Sequence, residues 1–192
     1  MPASFWIELT ASLLGLISVW LVTKQNNWCW PTGIVMVIIY VFIFYQNKLY
    51  SDMLLQIFFV VMQIYGWYTW SNSSNNTIKL EVTWLTFKEQ LQWIVGTIIL
   101  SILIGFCMKR FTNADLPYID AATAAMSITA QWLMTRKKIE NWLYWIIADL
   151  IYIAMYLVKG LYFTTVLYFV FLILAYKGFI TWKNHFARLK KN

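Results

Sequence analysis

The sequence predicts an all-α integral membrane protein with seven transmembrane helices, and three observations support this prediction. Of its 192 residues, 61% are hydrophobic and only 12% are charged, against roughly a quarter in soluble domains. Apolar segments of bilayer-spanning length recur along the chain, and they are continuous rather than alternating, which argues against the strands of a membrane barrel. An internal repeat then divides the helices into two parallel three-helix bundles and one linking helix, a 3+1+3 arrangement.

The seven predicted spans are separated by short polar breaks. They cover residues 4–23, 29–46, 50–70, 91–108, 118–135, 141–158 and 161–182. The first span lacks a basic region before it and a small-residue cleavage site after it, so we expect it to stay in the mature protein.

The distribution of Lys and Arg predicts the orientation in the membrane. With the N-terminus outside, eleven basic residues fall on the inner side and four on the outer side, namely Lys48, Lys109, Arg110 and Lys159. Cytoplasmic loops carry the excess of positive charge. We therefore predict a multi-pass protein of a bacterial-type inner membrane with a cytoplasmic C-terminus, whose net charge of +7 meets the anionic lipid bilayer and not nucleic acid.

An offset of 112 residues relates the two halves of the chain. The segment Trp20-Leu21-Val22-Thr23-Lys24 matches Trp132-Leu133-Met134-Thr135-Arg136, and Asn27-Trp28 matches Asn141-Trp142 with a two-residue shift. The original offset returns for Tyr40 with Tyr152, Tyr50 with Tyr162, Gly66 with Gly178 and Trp70 with Trp182. Because four crossings separate the copies, the repeats are parallel, an arrangement of transporters in which substrate lies near the midplane between halves. Gene duplication in a structural membrane protein is the alternative.

The repeat predicts four regions. The first three-helix repeat covers 1–70, a cytoplasmic linker with the connecting fourth helix covers 71–117, the second repeat covers 118–182, and a basic cytoplasmic tail covers 183–192. The composition of Ser71 to Asn76 is typical of a flexible linker. Residues 78–84 alternate between apolar and polar, which predicts a short strand or a surface segment without an assigned function.

The sixth span carries a carboxylate inside an aromatic stripe. Trp142, Trp145, Asp149, Tyr152 and Tyr156 recur at steps of three and four, which places them on one helical face. Asp149 lies roughly 12 Å from the start of the span, near the middle of the hydrocarbon core, where an ionised carboxylate costs several kcal/mol unless it meets water, a partner or a cation. Since no Lys or Arg occurs at that depth, we predict a cationic ligand that stacks on the two Trp rings. The alternative is an Asp that is protonated or hydrogen-bonded to Tyr or Gln.

Glutamines mark two other spans. Gln56 and Gln63 share a face of the third span with Phe59, Gly66, Trp67 and Trp70. For Gln63, ligand contact and helix bridging both remain open, whereas bridging is favoured for Gln56.

The fifth span has a polar face of Asp120, Thr123, Ser127 and Gln131 among alanines. Small residues favour close helix packing for Thr123 and Ser127, whereas Gln131 is a candidate for a cavity.

Candidate gating positions lie near the ends of three spans. Pro31 with Gly33 permits a bend in the second span, although Pro near a helix start is also ordinary capping. Gly66 and Gly178 occupy equivalent places in the two repeats, and Trp67 adjoins the first of them. Among the other aromatic residues, we assign Trp28, Trp30, Trp70 and Trp182 to the interfacial belt.

Signatures of catalysis are missing from the sequence. It contains neither a phosphate-binding G-x-x-x-x-G-K-[ST] loop nor an H-E-x-x-H motif, and the only histidine, His185, lies in the basic tail. We therefore expect neither an enzyme, nor a cofactor, nor a metal site.

The segments ENWLYW, LLQIFFVVMQIYGWYTW and the paired W-L-x-T-[KR] resemble the PnuC family of vitamin-precursor transporters, over nearly the whole chain. The resemblance implies a SWEET-like fold and facilitated diffusion of an unphosphorylated vitamin, which a cytoplasmic vitamin kinase then traps. The family's cargoes include nicotinamide riboside, thiamin, riboflavin and nucleosides. Oligomer formation is compatible with this interpretation.

The cargo remains open between two cationic aromatic vitamins. In members that carry nicotinamide riboside, the places matching Asp149 and Gln63 resemble asparagine, and this chain departs at both. These departures favour thiamin over nicotinamide riboside. Two other hypotheses are a membrane sensor or assembly scaffold, and a sugar facilitator that would not need Asp149.

Overall fold

The computed structural model describes residues 3–46, 50–75, 80–112 and 116–190. Within these ranges the chain forms seven helices: α1 (Ala3–Thr23), α2 (Cys29–Gln46), α3 (Tyr50–Asn75), α4 (Phe87–Phe111), α5 (Pro117–Thr135), α6 (Asn141–Val158) and α7 (Tyr162–Leu189). The predicted all-α membrane fold is therefore confirmed, and the bounds of α2 and α6 coincide with the predicted spans.

Six of the described helices are long and apolar enough to cross a membrane, and α5 is the exception. Its sequence is rich in Ala, Thr and Ser, and most of its length is buried. A helix enclosed by other helices needs small residues for close packing more than it needs lipid-soluble ones. The low hydropathy of α5 thus reflects an interior position in its part of the fold.

Three helices, α3, α4 and α7, extend several residues beyond the predicted spans. Helix α4 begins at Phe87 because Thr86 and Glu89 form a capping box, in which the Thr86 backbone N–H donates to Glu89 Oε2 at 2.7 Å.

Helix α3 continues through Asn75, so the prediction that Ser71 begins a flexible linker is wrong. Ser and Asn are only mildly unfavourable in a helix that has already formed. Asn76, the last residue of the predicted flexible linker, lies outside the described residues. Helix α7 likewise continues into the predicted tail.

Contacts divide the chain into two compact units. The first comprises Met1–Glu81 and Ile173–Asn192, and the second comprises Val82–Leu172. In the first unit α1 packs on α2 and α2 on α3, and in the second unit α4 packs on α5 and α5 on α6. The predicted four-region division concerns the sequence repeat and remains a prediction.

A cluster of three tryptophans forms the core of the first unit. Trp30 and Trp70 meet edge to face at a centroid distance of 5.1 Å, and Trp70 lies 6.1 Å from Trp182. Trp182 Nε1 donates to the Val22 carbonyl at 3.1 Å. Because all three side chains are buried, their assignment to the interfacial belt is wrong. Trp28, at 69% exposure, keeps that assignment.

In the second unit, α4 and α5 approach closely. The hydroxyls of Thr97 and Thr129 are 2.8 Å apart in a buried hydrogen bond. A Cβ on Gly105 would lie 2.5 Å from the Tyr118 ring, so glycine is what allows this ring to lie against α4.

The turns after α1 and α5 have the same local structure. Gln25 and Lys137, which are 112 residues apart, have positive φ angles of 54° and 51°. The hydroxyls of Thr23 and Thr135 each donate to the carbonyl three residues earlier at 2.7 Å. A cation then stands over an aromatic ring in each copy, Lys24 Nζ at 5.4 Å and the Arg136 guanidinium at 5.2 Å.

The helix starts that follow these turns also correspond at the offset of 112. The backbone N–H of Trp30 donates to Asn27, and that of Trp142 donates to Ile139, at 3.2 and 3.1 Å. Trp30 and Trp142 are both buried. The two-residue shift that paired Trp28 with Trp142 is therefore wrong, and a constant offset pairs Trp142 with Trp30.

The alternating segment before α4 is attached to the turn between α5 and α6. Thr83 forms an isolated parallel β-bridge with Lys138. The Thr83 N–H donates to the Lys137 carbonyl at 3.2 Å, and the Ile139 N–H donates to the Thr83 carbonyl at 3.0 Å. The described part of this segment is thus a single bridged residue and not a full strand.

Candidate functional site

Asp149 lies in the interior of the second unit. Its side chain is only 5% exposed, while Ile147 and Leu150 on other faces of α6 are about half exposed, as expected for side chains that meet lipid. Among the described residues, no hydrogen bond or ion pair engages its carboxylate. Burial without a protein partner makes the ionised carboxylate costly, so Asp149 is a candidate for binding a ligand.

Aromatic rings continue the Asp149 face of α6. Tyr152 and Tyr156 stack at 5.9 Å with an interplanar angle of 11°. Tyr168 of α7 lies 4.8 Å from the first ring and 5.2 Å from the second, and Phe171 adjoins it at 5.8 Å. Three tyrosines thus form one aromatic group beside the carboxylate. Tyr168 was not among the predicted site residues, because α7 contains no acidic residue that would mark its face.

The Tyr152 hydroxyl points toward the polar face of α5. It lies close to the hydroxyls of Thr123 and Ser127. Ser127 Oγ donates to the Thr123 carbonyl at 2.8 Å, and Thr123 Oγ1 donates to the Asp120 carbonyl at 2.9 Å. Both hydroxyls are therefore already engaged within α5, which agrees with the packing role that their small size favours.

The two tryptophans of the predicted site differ in accessibility. Trp142 is only 1% exposed and corresponds to Trp30, a core residue of the first unit. Trp145, one turn closer to Asp149, is half-buried and retains accessible ring surface. In this conformation Trp145 is therefore the ring of the two that is available to a ligand.

Gln131 has an unmet hydrogen bond. The side chain on α5 is 3% exposed, and its Nε2 donates to no group among the described residues. A buried amide left without a partner costs about 1–3 kcal/mol, unless a ligand supplies an acceptor. Gln131 thus satisfies a physical condition for the ligand contact that the sequence predicts.

In the first unit, Gln63 lies against the backbone of α2. A Cβ on Gly33 would meet the Gln63 amide at 2.6 Å, so this glycine provides the space for the glutamine. Gln63 is 7% exposed, whereas Gln56 is half-buried. Gln63 therefore packs between α3 and α2, while ligand contact and helix bridging both remain predictions for it.

The candidate gating residues occupy different environments. Pro31 lies in the first turn of α2, where proline is compatible with an unbent helix. A Cβ on Gly66 would lie 2.2 Å from the Trp30 ring, so this glycine gives the tryptophan room to pack. Gly178 is buried, and Trp67 is 43% exposed, on a different face from Gly66.

One polar residue was missed by the sequence analysis. Glu140, the first residue of ENWLYW, is 5% exposed, and its Oε1 accepts from the Leu85 N–H at 2.8 Å and from Gln90 Nε2 at 3.1 Å. Asn141 Nδ2 donates to the Lys138 carbonyl at 2.6 Å. The first two residues of the motif therefore hold the α5–α6 turn and the segment before α4 together. The signal available in the sequence was a carboxylate directly before a predicted span.

Comparison with known proteins identifies the family. The model of a family described as nicotinamide mononucleotide transporter matches residues 5–184, which is nearly the whole chain. The chain belongs to this family. It is therefore a multi-pass membrane transporter of the PnuC type.

Relatives of this chain are named for different vitamins. The nicotinamide riboside transporter PnuC of Escherichia coli (strain K12) is 29% identical, with 93% of this chain and 85% of the relative covered. The riboflavin/roseoflavin transporter RibM of Streptomyces davaonensis is 23% identical, with 92% and 84% covered. The crystal structure of the vitamin B3 transporter PnuC matches with a TM-score of 0.79 at 23% identity, covering 95% of this chain and 83% of that one. The structural likeness establishes a shared fold.

Proposed function

We propose that this PnuC-type transporter carries a vitamin, or vitamin precursor, with a flat and positively charged aromatic ring. Transport is facilitated diffusion by alternating access, and a cytoplasmic vitamin kinase traps the product by phosphorylation. The observation that supports this proposal is the buried Asp149 carboxylate, which has no hydrogen bond or ion pair among the described residues.

The charge of the cargo follows from the cost of burying Asp149. An ionised carboxylate inside a membrane protein is stabilised by a cation at short range, and no Lys or Arg lies on the described length of α6. A cationic ring supplies that charge and also stacks on neighbouring aromatic faces, for which Trp145 and Tyr152 are available. A neutral cargo would gain from the stacking alone.

The remaining residues that the sequence predicts to contact the cargo differ in how accessible they are to it. Gln131 offers an unpaired N–H donor to the cargo. Trp142 stacks on cargo only in a conformation that exposes its ring, since the ring is enclosed here. Gln63 and Gln56 belong to the first unit, where the contact between Gln63 and Gly33 favours bridging.

The relatives restrict the choice of cargo. Those from Escherichia coli and Neisseria mucosa are named for nicotinamide riboside, and the one from Streptomyces davaonensis is named for riboflavin. Nicotinamide riboside and thiamin each carry one positive charge on an aromatic ring, whereas riboflavin is neutral. Asp149 favours the two cations, and the departures at Asp149 and Gln63 favour thiamin between them.

Uptake by proteoliposomes without a kinase tests this function. Labelled thiamin, nicotinamide riboside, riboflavin and glucose are offered to vesicles containing the purified protein and to empty vesicles. We expect saturable uptake of at least one cation that stops when the inner and outer concentrations are equal, and that does not respond to a proton or sodium gradient.

Three outcomes would contradict the proposal. Accumulation above the outside concentration, driven by a proton gradient, would show active transport. Tight binding without flux would favour the sensor or scaffold hypothesis. Uptake of sugars or riboflavin in preference to both cations would remove the role proposed for Asp149.

A further inference from the structure

A basic groove lies on the first unit, where the end of α1 meets the C-terminal half of α7. It consists of two adjoining clefts of about 380 and 430 Å³, which share Thr23, Lys24 and Thr181. Both clefts are half open to their surroundings. The hydrogen bond from Trp182 Nε1 to the Val22 carbonyl fixes the two helices beside each other at this place.

Four residues of α7 line the groove at helical spacing. Lys177, Thr181, His185 and Arg188 follow one another at steps of three and four, so they form one stripe along the helix. The stripe extends over about 16 Å at 1.5 Å per residue. Lys24 stands at the end of α1 and completes the groove from the other side, with its Nζ 5.4 Å over the Trp20 ring.

The length of α7 places this groove at a membrane surface. Its 28 residues make a helix of about 42 Å, whereas the hydrocarbon core is about 30 Å thick. If α7 enters the hydrocarbon near its first residues, it leaves near Thr181. His185 and Arg188 then lie at the level of the lipid headgroups, and Lys177 reaches that level by extending its side chain.

The two clefts differ in chemistry. One is lined by Lys24, His185, Arg188 and uncharged polar residues, and none of the residues lining either cleft is acidic. The other has an apolar wall that includes Leu174, Ile180 and the half-exposed Trp20. A soluble phosphate would use the cations alone, whereas a phospholipid would use the cations and the apolar wall together.

We infer that this groove binds an anionic phospholipid. The lipid phosphate lies among Lys24, Lys177 and Arg188, and an acyl chain lies against Trp20, Leu174 and Ile180. The groove shares no residue with those proposed to bind the cargo, so the inference does not depend on which vitamin is transported.

Native mass spectrometry of the full chain tests the inference. Phosphatidylglycerol and phosphatidylethanolamine with the same acyl chains compete for the protein, and we expect phosphatidylglycerol to be preferred. Replacing two of the three cations, Lys24→Gln with Arg188→Gln, should reduce the preference by about fivefold for each charge removed. Lys177→Gln alone should reduce it in the same way, and this variant serves if the double variant does not fold.

The matched control is Arg136→Gln. Arg136 has the same arrangement over Trp132 as Lys24 has over Trp20, but it belongs to the second unit. We expect this variant to keep the wild-type preference. An equal loss in Arg136→Gln would show that binding follows net charge, and an unchanged preference in the groove variants would show that the lipid binds elsewhere. Binding of glycerol phosphate as tight as that of the lipid would identify a soluble-anion site. Each of these three results would overturn the inference.

Discussion

Single residues determine how closely the helices of each unit pack. Gly33 and Gly66 were predicted to be hinges, but each provides space for a neighbouring side chain, Gln63 in one case and Trp30 in the other. The sequence shows that a glycine is present. Its structural role depends on which residue of the adjacent helix lies against it. That partner is fixed only when the helices are packed.

The glycine at position 66 provides a test at this scale. Gly66→Ala should lower the free energy of unfolding by about 1–3 kcal/mol, because the new methyl group would lie 2.2 Å from the Trp30 ring. Gly96→Ala is the control, since nothing lies within 4 Å of a Cβ there, and alanine in a helix is worth about 0.5–1 kcal/mol over glycine. Unfolding of both variants in detergent gives the comparison. Equal behaviour of the two variants would refute the packing role of Gly66.

Residue chemistry predicted that Asp149 is enclosed, whereas it did not predict that the Trp142 ring is buried. A carboxylate inside an apolar span is expensive wherever it faces, so its enclosure could be anticipated from the sequence. A tryptophan near a span end is stable both at the interface and in the core, and the sequence does not distinguish these cases. Trp30 and Trp182 were misassigned for the same reason.

At the scale of elements, the helices followed from hydropathy and their ends did not. The spans located all seven helices, because twenty or so apolar residues have no other stable conformation in lipid. The ends depend on local contacts outside the hydrocarbon. For α4, the T-x-x-E pattern at Thr86 was present in the sequence and would have placed the start at Phe87.

The Glu140 contact is testable at this scale. Glu140→Ala removes the acceptor for the Leu85 N–H, so the amide hydrogens of Thr83 and Leu85 should exchange faster with solvent. The loss leaves buried donors unpaired, which costs about 1–3 kcal/mol. Hydrogen exchange with mass spectrometry measures this effect in the peptide that covers residues 80–90.

The exposed Glu81 supplies the control for that experiment. Glu81→Ala removes the same charge from the neighbouring segment and should leave exchange unchanged. Equal exchange in wild type and Glu140→Ala would mean that Glu140 does not hold the segment.

For the whole molecule, the predicted orientation has a direct test. We expect Lys159 outside and Arg136 inside, because that arrangement places eleven of the basic residues in the cytoplasm. In a Cys107→Ser background, Lys159→Cys should react with a membrane-impermeant maleimide in intact cells. Arg136→Cys should react only after permeabilisation. The reverse pattern would invert the topology.

The repeat explains why so much of the molecule could be predicted. Two turns 112 residues apart share backbone conformation, hydrogen bonds and a cation over an aromatic ring. Matching sequence motifs therefore have matching structure. The two-residue shift that paired Trp28 with Trp142 was unnecessary. The cargo is harder to predict, because relatives of one fold have names for different vitamins. A single side chain such as Asp149 indicates the charge of the cargo but not its identity.

The most direct test of the central claim is cargo affinity in the Asp149→Asn variant, with Asp120→Asn as the control for removal of an acid from the same unit. Each charged vitamin is compared with a neutral analogue of the same shape, namely nicotinamide riboside with its reduced form and thiamin with a deaza analogue that has carbon in place of the charged nitrogen. Truncating one partner of a buried charge pair costs about 2 kcal/mol or more, so Asp149→Asn should weaken binding of the transported cation about 30-fold or more. It should leave the neutral analogue nearly unaffected. An equal loss for both members of the pair, or no loss for either, would contradict a role of Asp149 as the countercharge.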